Sequence, residues 1–204
     1  MTDPLSGWDF GSLSAPQPAP IVPVPAGEHR SIRGARVIIG LPGLGWRADM
    51  RADSPVVQGS RTYVPVLAEQ EWYRAEAERI EAFAPMVPIE RVWVETLSIP
   101  STVEQTGGRD LISRLVSLDA PPRREPVPVR DAVRVTGRRV VRVAVPGNTG
   151  SHDQRDLRAV TEPYTSSDGD ICVRVATELD WYRWAWSGKT PRTLEVPVHL
   201  LWLE

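Results

Sequence analysis

Residues 72–74 and 181–183 both read Trp-Tyr-Arg, and the residues around the two triplets keep one fixed offset of 109. Val64 and Val66 match Val173 and Val175, and Glu69 matches Glu178. Acidic Glu71 faces Asp180, Val87-Pro88 matches Val196-Pro197, and Trp93 and Glu95 match Trp202 and Glu204. Ten of the 33 positions from 63 to 95 are identical to their counterparts, and none of the ten falls in the 12-residue spacer that follows each triplet. Paired tryptophans held in register over this distance identify a tandem duplication, which restricts the chain to folds built from two like units. A residue kept in both copies is expected to serve the shared scaffold. Trp72, Tyr73, Arg74 and Trp93, with Trp181, Tyr182, Arg183 and Trp202, are therefore read as scaffold.

The duplication divides the 204 residues into a Pro-rich arm (1–25), copy one (26–95), a linker (96–126) and copy two (127–204). A unit of about 75 residues buries only a modest core, so two copies fused into one body are favoured over independent beads. The arm carries Pro16-Gln-Pro-Ala-Pro20-Ile-Val-Pro-Val-Pro25 and no helical or strand period, so it is expected to be extended. In the linker, Arg109–Leu118 has the pattern of a short amphipathic helix, and Val127-Pro128-Val129 echoes Val22-Pro23-Val24 as a shared approach to each copy.

Within each copy the order of elements repeats. A strand (Ala35–Leu41 or Val140–Val145) runs into Pro42-Gly43 or Pro146-Gly147, a turn signal. Asp49-Met-Arg-Ala and Asp156-Leu-Arg-Ala follow. Hairpins then turn at Gln58-Gly59-Ser60 and Ser167-Asp168-Gly169, residues that tolerate positive φ. Pro65 cannot donate to a ladder, so its strand is predicted to lie at an edge or to bulge there. The triplets open helices, with acids at the positive end of the helix dipole and Thr177-Glu-Leu-Asp180 as a capping box. In copy one the run Arg74–Ala84 is rich in helix formers and predicts a long helix, whereas copy two stops at Ser187-Gly188. Val87–Val94 and Val196–Leu203 each predict one closing strand. The fold class is thus α+β, mainly β: a duplicated β-hairpin–β–short helix–β unit behind an extended arm.

Chemistry is sparse. The net charge is −2 and the pI about 6.0, so no general basic field favours nucleic acid. No apolar run is long enough to span a membrane, and the N-terminus has no signal-peptide pattern. Cys172 is the single cysteine; it excludes an intramolecular disulfide and reads as a small buried residue on a strand. His29, His152 and His199 lie at no metal-ligand spacing, His152-Asp153 has no nucleophile partner, and His199 reads as a surface residue on the closing strand. Gly40-Leu-Pro-Gly-Leu-Gly45 and Gly188-Lys-Thr190 lack the full phosphate-loop pattern. The pairs Glu69/Glu71 and Glu76/Glu78 read as solvated helix carboxylates. No catalytic residue, cofactor or metal site is expected.

What remains is an interface composition: eight tryptophans beside two phenylalanines, twenty prolines, and a single lysine (Lys189) among 24 basic residues. Trp and Arg are enriched where proteins touch. Trp184 and Trp186 stand where copy one has Ala75 and Ala77, so they are candidates for contact with a partner, together with Trp8 and Trp46. The alternative use of such rings is a stacking platform for a host-surface glycan.

The phrases Leu41-Pro-Gly-Leu-Gly-Trp-Arg47, Tyr63-Val-Pro-Val-Leu-x-Glu-x-Glu-Trp-Tyr-Arg-Ala-Glu76 and Val87-Pro-Ile-Glu-Arg-Val-Trp-Val-Glu95 resemble structural gene products of actinobacterial tailed phages. The bias of Arg over Lys fits the GC-rich codons of such genomes. The resemblance covers both copies but not the arm. It implies a non-enzymatic virion component, a minor tail protein, a head–tail connector or a capsid accessory protein, touching other virion proteins in a multi-subunit assembly made in the host cytoplasm. From charge and hydropathy, no nucleic-acid or membrane partner is expected.

Overall fold

A computed structural model describes residues 16–41, 45–97, 120–144 and 152–204. Trp8 of the arm, the Pro42-Gly43 and Pro146-Gly147 turns and the Arg109–Leu118 segment lie outside the described residues. The protein is mainly β, with antiparallel sheets and, among the described residues, two short α-helices. The described chain forms two compact units. The first comprises Ala19–Glu125 with Leu179–Pro191; the second comprises Pro126–Glu178 and Arg192–Glu204 with residues 16–18.

In the first unit the strands are β1 (Ile21–Pro25), β2 (Arg36–Leu41), β3 (Gly45–Ala52), β4 (Val56–Gln58), β5 (Arg61–Ala68), β6 (Met86–Pro88) and β7 (Val92–Leu97), and helix α1 (Glu69–Glu78) lies between β5 and β6. The strand order is β1-β7-β2-β3-β5-β4, with β6 also on β5. Strands β6 and β7 are consecutive, yet β6 pairs with β5 and β7 pairs with β2. One bent stretch therefore joins both ends of the β2-β3-β5 ladder and closes the sheet around a core of Ile32, Val37, Ile39, Met50, Val64, Val66, Val92 and Val94.

The second unit has the same order and connections: β8 (Val127–Pro128), β9 (Arg139–Arg142), β10 (Gln154–Ala159), β11 (Tyr164–Thr165), β12 (Ile171–Thr177), β13 (Leu194–Pro197) and β14 (Leu201–Leu203). Its core gathers Val129, Val135, Val140, Leu157, Val173, Val175, Val196, Leu201 and Leu203. Helix α2 (Glu178–Ser187) begins in this unit at Glu178, but its remaining residues belong to the first unit.

Each predicted closing strand is in fact two strands joined by a 3-10 turn, Ile89–Arg91 and Val198–Leu200. The recurrent Val-Pro explains the break. Pro25, Pro88, Pro128 and Pro197 have φ of −51°, −55°, −55° and −58°, and each caps a 3-10 turn. The ring fixes φ and removes the next ladder donor, so the strand ends and pivots. His199 accordingly sits exposed in a 3-10 turn rather than on a strand.

The described end of the arm is extended: Ile21–Pro25 is an edge strand whose residues pair with Leu97 through Trp93. Ile21 also exchanges both backbone hydrogen bonds with Arg124, at 2.9 and 3.0 Å. Residues 19–25 of the arm and 120–125 of the linker are grouped with the first unit.

The long helix predicted for copy one does not form. Helix α1 ends at Glu78 with Arg79 left-handed (φ 53°, ψ 42°), and the Ile80 N–H donates to Ala75 O. Glu81, Ala82 and Ala84 are helix formers, but Pro85 follows and the chain must return to pair with β5, where the Val66 N–H donates to Pro85 O. The tertiary ladder overrides local preference. Helix α2 has the same ten-residue length and ends at Gly188 (φ 69°).

Two further details follow from backbone geometry. Asp49 and Asp156 have φ of 59° and 58°, beside register shifts in the β2–β3 and β9–β10 pairings. A bulge of this kind needs a left-handed residue, which Asp tolerates better than most side chains. Pro65 lies within β5, but its carbonyl accepts from the Asp53 N–H at the break between β3 and β4, where no ladder donor is required of it.

Candidate interaction surface

The acids shared by both copies are buried, contrary to the reading of Glu69 as solvated. Glu69 and Glu178 are the first residues of α1 and α2, and each is only 1% exposed. In the first unit Arg51 Nε donates to Glu69 Oε1 at 3.1 Å, and Tyr182 Oη donates to Glu69 Oε2 at 2.9 Å. Arg51 also donates to Tyr73 Oη (2.8 Å) and to Gly34 O (2.9 Å), and the Tyr73 and Tyr182 rings stack with centroids 5.4 Å apart. In the second unit Arg139 Nε donates to Glu178 Oε1 at 2.8 Å, Arg158 Nε stands 3.9 Å from the same oxygen, and Arg158 donates to Gly137 O.

The last shared acids behave likewise. Glu95 is paired with Arg124 at 2.5 Å and Glu204 with Arg155 at 2.6 Å, both carboxylates nearly inaccessible. A buried carboxylate is tolerated only where a cation and hydrogen-bond donors meet it. Arg suits the task because its planar fork serves several acceptors at once. The Tyr and Glu of the repeat are therefore scaffold; Arg74 and Arg183 instead make partly exposed helix-surface pairs, with Glu78 at 3.1 Å and Asp180 at 3.5 Å.

The tryptophans divide differently. Trp93 is buried, at 7% exposure, and Trp202 is half-buried. Trp72 and Trp181 are also only half-buried and are not members of either core cluster. Among the interface candidates, Trp46 is exposed and meets Trp93 edge-on at 4.8 Å, above Gly40. Trp184 is exposed and meets Trp181 edge-on at 5.6 Å, and Trp186 is half-buried. The structure does not bring Trp46 and Trp184 into a shared ring contact; each pairs with a scaffold tryptophan.

Several exposed apolar residues in the first unit were not candidates from sequence. The loop after α1 presents Ile80 and Phe83, the latter 93% exposed, and Met86 follows at the start of β6. The loop is tied at both ends by the Ile80 N–H to Ala75 O and Val66 N–H to Pro85 O bonds. Beside it lies a cleft of about 450 Å³ walled by Pro65, Leu67, Trp72, Ile80, Ala82 and Ala84. Arg33 stands at its edge, bridging Asp53 at 3.3 Å and Glu76 at 3.5 Å. One signal pointed here: residues 75–86 are the spacer in which the two copies share no identity.

Several other polar groups have structural partners. Asp153 accepts from the Ala144 N–H, next to exposed His152. Glu162 accepts from the Val135 and Thr136 N–H groups; these bonds, the Thr136 backbone bond foremost, hold its carboxyl below the usual range. Tyr164 donates to Glu195, and that bond raises its hydroxyl pKa above the ordinary value. Cys172 is buried and free. Among the described residues no cluster of His, Cys, Asp and Glu could hold a metal ion, and no helix is long and apolar enough to cross a membrane. No protein-family model, curated protein or solved structure matches the chain.

Proposed function

We propose that this chain is a non-enzymatic structural subunit of a bacteriophage particle, a minor tail protein or connector, that works through protein–protein contacts. The observation that carries the contact reading is the set of large apolar side chains left open on rigid elements: Phe83 and Ile80 on a loop tied at both ends, Met86 at the start of β6, and Trp46 and Trp184 seated against scaffold rings. Apolar side chains gathered on a rigid surface mark interaction sites. The particle itself is suggested by the resemblance of the Trp-Tyr-Arg and Val-Pro phrases to phage structural products. The common strand order of the two units supports descent by tandem duplication. Mass spectrometry of purified particles tests the assignment: the chain is expected among the virion proteins, and its absence from them refutes the reading.

A second reading, a binding module for a host-surface glycan, is favoured by the exposure of Trp184 beside Trp181. It predicts that glycan binding, followed by tryptophan fluorescence, is lost in Trp184→Ala. Retention of binding in that variant removes the reading.

A further inference from the structure

The same face of the two units is finished in opposite ways. Residues directly opposite on paired strands share a sheet face. In the second unit that rule places Tyr164, Cys172, Pro197, Arg174 and Glu195 on the outer face of β11-β12-β13. There Tyr164 donates to Glu195, Arg174 donates to Tyr164 and lies over its ring at 5.5 Å, and Cys172 beneath is 3% exposed. That face is closed by its own polar side chains. In the first unit the matching strands β4-β5-β6 place Val56, Tyr63, Pro88, Pro65 and Met86 on the outer face. Tyr63 alone carries a polar group at those positions, and no charged side chain stands there to pair with it as Arg174 and Glu195 do with Tyr164; Ile80 and Phe83 add apolar surface from the adjoining loop.

We propose that a second copy of this chain covers the β4-β5-β6 face, forming a two-fold dimer through the same residues on both partners. Three observations favour a copy of itself. The border carries both signs, with Arg61, Arg79 and Arg91 interspersed with Glu81 and Glu90. A surface that must meet itself needs such mixing, since a border of one sign would repel its twin. The strand β4 is the end of the sheet order and is exposed along its length, Val57 by 72%. Its open edge is a template for antiparallel pairing with an identical strand. Finally, Phe83, Ile80, Val56 and Met86 are 93%, 48%, 41% and 38% exposed. With their neighbours they offer on the order of 500 Å² of apolar surface, taking roughly 150–250 Å² for a large ring. Buried on both partners, that reaches the roughly 1,000 Å² a specific interface requires.

The test is sedimentation velocity of the full chain from roughly 1 to 100 μM, the weak end of the range for interfaces of this size. The wild type is expected to shift from monomer to dimer across that range. Phe83→Asp with Met86→Glu is expected to remain monomeric throughout, with unchanged circular dichroism. Phe83→Ser alone, at a position with almost no burial to lose, is expected to weaken dimerisation about tenfold and keeps the test valid if the double variant misfolds. Arg174→Glu, on the closed face, is expected to dimerise as the wild type does. A monomeric wild type, a dimer unaffected by Phe83→Ser, or loss of the dimer in Arg174→Glu overturns the proposal. Dimerisation in solution and presence in particles are separate measurements, so the two readings fail separately.

Discussion

Replacing Glu69 by Ala tests whether the repeated acids hold the helices in place. The carboxylate is 1% exposed and accepts from Arg51 at 3.1 Å and Tyr182 at 2.9 Å. Deleting it removes the carboxylate to which the Arg51 guanidinium, 10% exposed, and the Tyr182 phenol both donate. Removing one partner of a buried pair costs about 3–5 kcal/mol. At about 2–4 °C per kcal/mol for a chain of this size, the melting transition that contains Glu69 is expected to fall by roughly 6–20 °C. Tyr182→Phe removes the hydrogen bond to the charged Glu69 and is expected to cost about 1.5–3 kcal/mol. Because the two groups touch, their effects should not add. Urea unfolding followed by tryptophan fluorescence and far-ultraviolet circular dichroism of Glu69→Ala, Tyr182→Phe and the double variant would give a coupling energy of about 1–2 kcal/mol. Two units can unfold in separate steps, so each transition is fitted on its own. The reasoning is refuted if Glu69→Ala lies within about 1 kcal/mol of wild type. It is refuted equally if the double variant equals the sum of the singles within about 0.3 kcal/mol.

Other predictions concern the tryptophans, Gly40 and one carboxylate. Trp93→Ala, at a buried ring, is expected to cost about 3–5 kcal/mol in urea unfolding, and Trp72→Ala, at a half-buried one, distinctly less; equal costs would contradict the division. A methyl added at Gly40 would stand 2.8 Å from the Trp46 ring, so Gly40→Ala is expected to displace that ring and alter the near-ultraviolet circular dichroism, while far-ultraviolet signal is kept. Glu162 has its folded pKa lowered by the Thr136 and Val135 N–H groups. Its stabilisation is therefore present above the unfolded value of about 4.5 and is lost as pH falls through the lower folded value. Glu162→Gln is expected to flatten the acid limb of the stability–pH curve between the unfolded value and the lower folded one, and an unchanged limb would argue against the contact.

Much of the unit was legible because local signals and tertiary demands agreed. Gly59 and Gly169, at φ of 64° and 88°, sit at the turns that the Gln-Gly-Ser and Ser-Asp-Gly signals marked. The failures occur where they disagreed. The run up to Ala84 favours helix by composition, but Pro85 and the pairing of β6 with β5 pull residues 80–84 out of it. The Val-Pro phrase was recognised as repeated, yet its effect, a pivot that lets one stretch pair at both ends of a sheet, depends on partners far away in sequence. Glu69 looked like any exposed helix acid, since burial is not a local property. The exposed face built from Val56, Met86 and Phe83 likewise belongs to three separate segments.

The sequence by itself determined the duplicated order of elements, the turn positions and the list of shared acids and aromatics, because these follow from residue type and spacing along the chain. Only the tertiary structure decided what those residues do. It set Glu69 and Glu178 inside against arginine, left Trp72 half open, ended α1 at Glu78, and closed one sheet face with Tyr164, Arg174 and Glu195 while leaving its counterpart apolar. The reason is that burial and charge pairing are set by which distant segments meet, and that meeting is fixed by strand pairing across the chain rather than by any single stretch of it.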